Sequence, residues 1–136
     1  MREARQTGSG GNGGTPREHS RSVRGREGEE RAAAYLEAQG MTVIARNVRT
    51  RRGEVDLVAL EGEVIVFAEV KTWSVYAAES LDRGIDARKQ RRIIETAKYF
   101  LSINRKYSCM TVRFDVIFIT GGEIIHYPSA FTENLW

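Results

Sequence analysis

Two short apolar runs separated by a tight turn signal constrain the fold of this sequence more than any other feature. Residues 55–60 and 64–70 are rich in valine and flank the segment Glu61-Gly62-Glu63. Paired runs of this length around a glycine are typical of an antiparallel β-hairpin. Glycine at the first turn position suits a two-residue type II′ turn, which would pair Glu61 with Val64 and thereby fix every other pair.

This register brings charged residues together at the open end of the hairpin. Asp56 would lie directly opposite Glu69 and Glu54 opposite Lys71, with Cβ atoms roughly 4.5–5.5 Å apart in each pair. Because side chains alternate along a strand, Asp56, Glu69 and Lys71 share one face, whereas Val55 and its alternate neighbours lie on the other. A ribbon that is apolar on both faces must be covered on both faces.

The facing carboxylates need a positive charge between them, because burial makes two adjacent negative charges unfavourable. The sequence offers two candidates, the Lys71 ammonium and a divalent cation. Carboxylate oxygens suit a hard ion such as Mg²⁺, so the pattern of an Asp followed after a turn by Glu-x-Lys predicts a metal site. The alternative is an ordinary solvated strand end with one salt bridge.

The rest of the chain alternates helical and strand patterns around this hairpin. A helix is predicted over residues 25–39, ended by Gly40, with Glu29 on or beside its sheet-facing edge and Glu30 pointing elsewhere. The predicted elements that follow are a strand at 41–48, the hairpin, a helix at 84–103 and strands at 112–120 and 123–127. Asp115 is interpreted as structural, with Arg113 or another basic side chain as its partner.

Two basic segments lie next to the hairpin in the predicted order. One is the loop after the first strand and the other is the start of the second helix. Such clusters are either solvated surfaces or grips for a phosphate backbone. The aromatic loop at 73–76 could stack on a base or cap the core. The candidate nucleic-acid contacts are Arg46, Arg49, Arg51, Arg52, Arg88, Lys89 and Arg92.

Composition narrows the remaining classes of protein. The 136 residues predict one domain over 25–131, with a disordered Gly/Arg-rich leader at 1–24 and a tail at 132–136. One cysteine excludes an internal disulfide, and one cysteine with two distant histidines cannot form a zinc site. A pI near 9.2 favours a polyanionic partner. Without a membrane-length apolar run or a secretory signal, we expect no membrane partner and a cytoplasmic location.

The spaced motifs of residues 25–131 resemble the YraN-like family of predicted endonucleases. That family is similar to Holliday junction resolvases and to nucleases with a PD-(D/E)xK signature. The resemblance implies a restriction-endonuclease-like α/β fold, with a mixed β-sheet, helices on both faces and the order α-β-β-β-α-β-β. The motifs that carry it are Gly28-Glu29-Glu30, Arg46-Asn47-x-Arg49, Gly53-Glu54-Val55-Asp56, Phe67-x-Glu69-Val70-Lys71, Arg88-Lys89-Gln90 and Arg113-Phe114-Asp115.

The same resemblance implies a role for each site residue. Asp56 and Glu69 would bind Mg²⁺ or Mn²⁺ together with the main-chain carbonyl of Val70, Lys71 would orient or activate the attacking water, and Glu29 would be an additional catalytic acid. The expected function is a metal-dependent DNA endonuclease, acting on branched or structured DNA. Two alternatives are a non-catalytic nucleic-acid-binding module and a scaffold that retains the fold. The resolvases are dimeric as a family, which makes a homodimer an expectation by analogy.

Overall fold

The computed structural model describes the backbone of residues 16–72 and 85–133, with side chains from Arg26 onward within those ranges. The predicted aromatic loop at 73–76 lies outside the described residues. The described elements are helix α1 (Pro16–Ala38), strands β1 (Thr42–Arg49), β2 (Glu54–Glu61) and β3 (Val64–Thr72), helix α2 (Ala87–Ile103), a 3₁₀ turn (Arg105–Tyr107), and strands β4 (Thr111–Ile119) and β5 (Ile124–Phe131).

The five strands form one mixed sheet in the order β1-β2-β3-β4-β5. Neighbours β1/β2, β2/β3 and β4/β5 are antiparallel, and β3/β4 is parallel. The parallel pair is the one joined by a long connection containing α2, as parallel strands require, because a tight turn can only reverse the chain. The prediction of a mixed α/β sheet is confirmed.

The predicted hairpin register is also confirmed. Glu61 pairs with Val64 and Leu57 with Ala68, and Gly62 adopts φ 62°, which a type II′ turn requires at its first position. The regular pairing of β2 with β3 ends at Leu57 and Ala68. The strands therefore leave their ladder one residue pair before the two acids, so the acids lie at the point where the strands separate.

Alternate residues of the hairpin pack in two different apolar clusters. Leu57, Ala59, Val66 and Ala68 pack with α1, whose buried residues include Ala32, Ala33 and Leu36. Val58, Ile65 and Phe67 pack with α2, whose buried residues include Ile93, Ala97 and Phe100. Both sets of hairpin side chains are thus buried, as predicted. The charged side chains of Asp56, Glu69 and Lys71 lie beyond these apolar positions, towards the open end of the hairpin.

The prediction of the hairpin face on which one side chain lies was wrong. Val55, expected with Leu57, packs with Val58 in the α2 cluster. Strict alternation fails in this segment because β2 no longer pairs with β3 beyond Leu57, and Asn47, between the β1 residues paired to Leu57 and Val55, adopts a positive φ of 49°. The irregularity occurs at Asp56, one of the predicted site residues.

The helix bounds differ from the predictions at their amino-terminal ends. Helix α1 begins at Pro16, upstream of the predicted start at residue 25. Helix α2 begins after Asp86, whose Oδ1 accepts a hydrogen bond from Lys89 N at 2.9 Å and so satisfies a free backbone donor. At the other end of α1, Gly40 at φ 97° permits the closing hydrogen bond from Met41 N to Leu36 O at 3.0 Å.

The last strand is longer than predicted, whereas the predicted domain limits remain untested. The last strand continues to Phe131, beyond the predicted end at residue 127. The division into leader, domain and tail stays a prediction. None of the helices in the described ranges is long and apolar enough to cross a membrane.

Gly53 lies where the chain entering β2 touches α2. A Cβ built at Gly53 would lie 2.9 Å from Arg92 Cβ and 3.1 Å from Arg92 O, and the latter is fixed in the helix backbone. Gly53→Ala is therefore expected to lower the free energy of unfolding by about 1–3 kcal/mol, as overpacking does. Urea denaturation measures this loss. Gly121→Ala is the matched control, because a Cβ there meets no atom within 4 Å. Equal stability of the two variants would contradict this prediction.

Candidate active site

Two acidic side chains lie buried at the separated ends of β2 and β3. Asp56 is 9% exposed and Glu69 5%. Asp56 Oδ2 accepts a hydrogen bond from Val70 N at 2.8 Å, which replaces the missing ladder bond between the strands. Both acids, Val70 and Lys71 line a cavity of about 430 Å³. The predicted grouping of these four residues at one strand end is what the structure shows.

Burial and the neighbouring Glu69 disfavour the charged form of Asp56. Burial, followed by the negative charge of Glu69, raises the pKa of Asp56 to about 8, and the charges of Glu29 and Glu54 act in the same direction. The hydrogen bond from Val70 N opposes the shift but does not overcome it. A buried acid pair with a perturbed pKa is typical of a functional site. Neutralisation by a cation would remove the unfavourable interaction.

The donor atoms present fit a hard divalent ion that keeps part of its water shell. Within residues 16–72 and 85–133, no three or more His, Cys, Asp or Glu side chains cluster closely enough to hold a metal ion. The protein ligands that the family resemblance implies are the carboxylates of Asp56 and Glu69 and the Val70 carbonyl. Mg²⁺ is commonly bound through one or two carboxylates, with waters and substrate phosphates completing the octahedron.

The positive partner of Glu69 is Lys89, on the first turn of α2. Lys89 Nζ lies 3.0 Å from Glu69 Oε2. Burial opposes the charge of Lys89, yet the charge of Glu69 and the hydrogen bond to it raise the lysine's pKa. Lys71, which the sequence offered for this role, has no ion pair in the described part of the chain. It lines the same cavity with its ammonium uncommitted.

Glu29 approaches the acid pair from α1. Its Oε1 accepts a hydrogen bond from Asn47 Nδ2 at 3.2 Å, and burial, with a contribution from the charge of Glu54, raises its pKa. Glu30 points away and pairs with Arg46 at 2.9 Å. Glu29 is absent from the described residues that line the acidic cavity. It interacts with Asp56 through its charge.

A basic cleft adjoins the acidic cavity. This arginine cleft of about 980 Å³ lies between the β1–β2 loop and α2, and Gly53, Glu54 and Arg92 line both spaces. Two of its arginines are paired, Arg49 with Glu54 and Arg52 with Glu95, each at 3.5 Å. The other four have no ion pair within the described residues. The six arginines are Arg49, Arg51, Arg52, Arg88, Arg91 and Arg92.

The structure divides the predicted phosphate contacts into three groups. Arg49, Arg51, Arg52, Arg88 and Arg92 line the arginine cleft, whereas Arg46 pairs with Glu30 and Lys89 pairs with Glu69. Arg91, which the sequence analysis did not select, also lines the cleft. Its position three residues after Arg88, one helical turn along α2, was the signal that could have identified it.

Comparison with known proteins places this arrangement in a family. The model of the uncharacterised protein family UPF0102 matches residues 28–119, a range that contains both acids, Lys71 and all six cleft arginines. A Treponema denticola relative named "UPF0102 protein" is 41% identical over 123 residues, covering 80% of this chain and 95% of its own. A protein of the same name from Halorhodospira halophila is 42% identical over 111 residues, covering 82% of this chain and 88% of its own. Another from Anaeromyxobacter dehalogenans is 38% identical over 128 residues, covering 91% of each chain.

Proposed function

Because this chain belongs to the uncharacterised protein family UPF0102, the YraN-like family of predicted endonucleases, we propose that it is a metal-dependent DNA endonuclease. It would hydrolyse phosphodiester bonds in branched or structured DNA. One observation carries the proposal. Two carboxylates more than nine-tenths buried share a cavity with Lys71, which has no ion pair within the described residues, and Gly53, Glu54 and Arg92 line both this cavity and the adjoining arginine cleft.

The architecture supports the finer interpretation of a restriction-endonuclease-like fold. The described helix, three strands, helix and two strands are compatible with that fold, and α1 and α2 pack in separate apolar clusters with alternate residues of the hairpin. A helix on each face would leave the strand ends as the only open route to the acids. The candidate active site lies at such a strand end.

In the proposed mechanism, the carboxylates of Asp56 and Glu69 would hold Mg²⁺ or Mn²⁺ with the Val70 carbonyl. An ion bound there would lower the pKa of a bound water and neutralise charge that develops on the phosphate. The hydrogen bond from Val70 N keeps the Asp56 side chain in place. Lys71, two residues and roughly 6.6 Å beyond Glu69 along the strand, stabilises the negative charge gathering on the phosphate oxygens and orients the water.

The arginine cleft would bind the phosphates next to the scissile one. Arg51, Arg88 and Arg91 have no acidic partner in the described ranges, so they can exchange their hydration for phosphate oxygens. Binding through several such contacts should weaken steeply as salt concentration rises, because each contact releases a condensed counterion. Such phosphate contacts would position the DNA backbone without reading its base sequence.

The opposing hypothesis is a binding module without catalysis, or a scaffold. A pure binder gains nothing from buried carboxylates, because they repel the phosphates that its arginines attract. The test incubates the protein with supercoiled, linear, single-stranded and four-way-junction DNA, each with Mg²⁺, Mn²⁺ or a chelator. Cuts that require metal are expected. Gel-shift binding without cuts in every condition would favour the module.

A further inference from the structure

The contact between Lys89 and Glu69 gives the acidic pair a cation of its own. The Glu69 side chain is 6% exposed, whereas the Lys89 side chain is 39% exposed. Glu69 is therefore held firmly in the strand, while much of the lysine remains in solvent. Of the described residues, Lys89 is the one that forms an ion pair with either Glu69 or Asp56.

A divalent ion and this ammonium would compete for the same carboxylate. The ammonium lies 3.0 Å from Glu69 Oε2, and an ion shared by Asp56 and Glu69 would bring a second positive charge into direct conflict with it. The lysine can move because four carbons separate its ammonium from the backbone. Arg92, one turn further along α2, lines both the acidic cavity and the arginine cleft. Phosphates bound in the arginine cleft would therefore lie one helical turn from Lys89 and attract its displaced ammonium.

We propose that Lys89 is an internal counter-cation that holds Glu69 before metal binding, yields it to the divalent ion, and then contacts the DNA backbone. This inference rests on the proposed metal site and adds a regulatory step to it. The lysine makes metal binding weaker in the absence of DNA. Since a bound phosphate would draw Lys89 away from Glu69, DNA and metal should strengthen each other's binding, as linked ligands must.

The test measures Mn²⁺ affinity by isothermal titration calorimetry, without DNA. Lys89→Met and Lys89→Gln remove the competing charge and are expected to bind Mn²⁺ at least about tenfold more tightly than wild type, the lower end of what an adjacent opposite charge does to a carboxylate. Lys89→Arg keeps the charge and should stay near wild type. Lys98→Met is the matched control, because Lys98 lies on the same helix but pairs with Glu133.

Each other result would overturn the inference. Unchanged or weaker Mn²⁺ binding in both neutral variants would mean that Lys89 merely positions Glu69. If no variant binds Mn²⁺, there is no divalent ion for Lys89 to compete with. Thermal unfolding of each preparation shows whether it is folded. The nuclease proposal is judged separately. Tighter Mn²⁺ binding without DNA cleavage by any variant would support the role of Lys89 and contradict the nuclease, whereas cleavage with unchanged affinity would do the reverse.

Discussion

Replacing Lys71 with methionine is expected to slow DNA cleavage by about a hundredfold to a thousandfold. A loss of this size follows when one positioned donor to a developing negative charge is removed. Methionine keeps most of the apolar stem, so the side chain still fills its place in the acidic cavity. Mn²⁺ binding should not weaken, because Lys71 is a cation rather than a ligand. Single-turnover cleavage of four-way-junction DNA at saturating Mn²⁺ measures the effect.

The matched control is Lys106→Met. Lys106 lies in the 3₁₀ turn before β4, and β4 runs parallel to β3 and starts beside its first residue, Val64. Lys106 is therefore at the opposite end of β3 from Lys71, and its loss should leave cleavage near the wild-type rate. If both variants cut DNA equally fast, Lys71 has no special role. Loss of Mn²⁺ binding in Lys71→Met would instead mean that the substitution disturbs the ligands.

Asp115→Asn is expected to destabilise the fold by about 3–5 kcal/mol, as removing one partner of a buried ion pair does. Asp115 is completely buried and accepts hydrogen bonds from Arg113 Nε and Nη2, each at 2.9 Å, and from Ser129 N at 3.0 Å. Its Oδ2 also lies 2.8 Å from His126 Nε2. Asparagine fits the space but removes the charge that Arg113 needs. Urea denaturation measures the loss.

Glu61→Gln is the control, because it breaks the other ion pair of Arg113. That pair spans 2.7 Å, but the Glu61 side chain is 43% exposed, so its loss should be within about 1 kcal/mol. Similar losses in Asp115→Asn and Glu61→Gln would mean that burial does not strengthen the Asp115 interactions.

The effect of Asp115→Asn should depend on pH. Burial acts to raise the pKa of Asp115, but hydrogen bonds from His126, Arg113 and Ser129 prevail and lower it. An acid whose folded pKa is below its unfolded value stabilises the fold fully above the unfolded pKa, near 3.9 for aspartate, and loses that stabilisation as pH falls through the folded pKa. The gap between wild type and Asp115→Asn should therefore shrink below about pH 4. A stability difference that does not change with pH would contradict the view that it comes from the charge of Asp115.

Local chemistry made the hairpin and the acid pair predictable. Gly62 and the two apolar runs fix one register, and that register, although its pairing ends at Leu57 and Ala68, brings Asp56 and Glu69 to the same end of the hairpin. The pairing of Asp115 with Arg113 is equally local, because residues two apart on a strand share a face. The confirmed predictions concern contacts between neighbours in sequence or across a tight turn.

Contacts between distant elements were not predictable from the sequence. The ion pair of Lys89 with Glu69 and the close approach of Gly53 to Arg92 depend on how α2 lies against the sheet. Periodicity shows which side of a helix is apolar but not its position along the strands. The wrong face predicted for Val55 has the same cause. The separation of β2 from β3 depends on tertiary structure, and strict alternation of side chains along a strand does not predict it.

The most direct measurement combines Mn²⁺ titration and cleavage of four-way-junction DNA on the same preparations of wild type, Asp56→Asn and Glu69→Gln. Asparagine and glutamine keep the size and a hydrogen-bond acceptor but remove the charge that holds a divalent ion. Glu30→Gln is the control, since Glu30 is exposed and pairs with Arg46. We expect the two site variants to lose Mn²⁺ binding and cleavage together while Glu30→Gln keeps both. Metal-dependent cleavage that survives in Asp56→Asn and Glu69→Gln would show that the buried acid pair is not the catalytic centre.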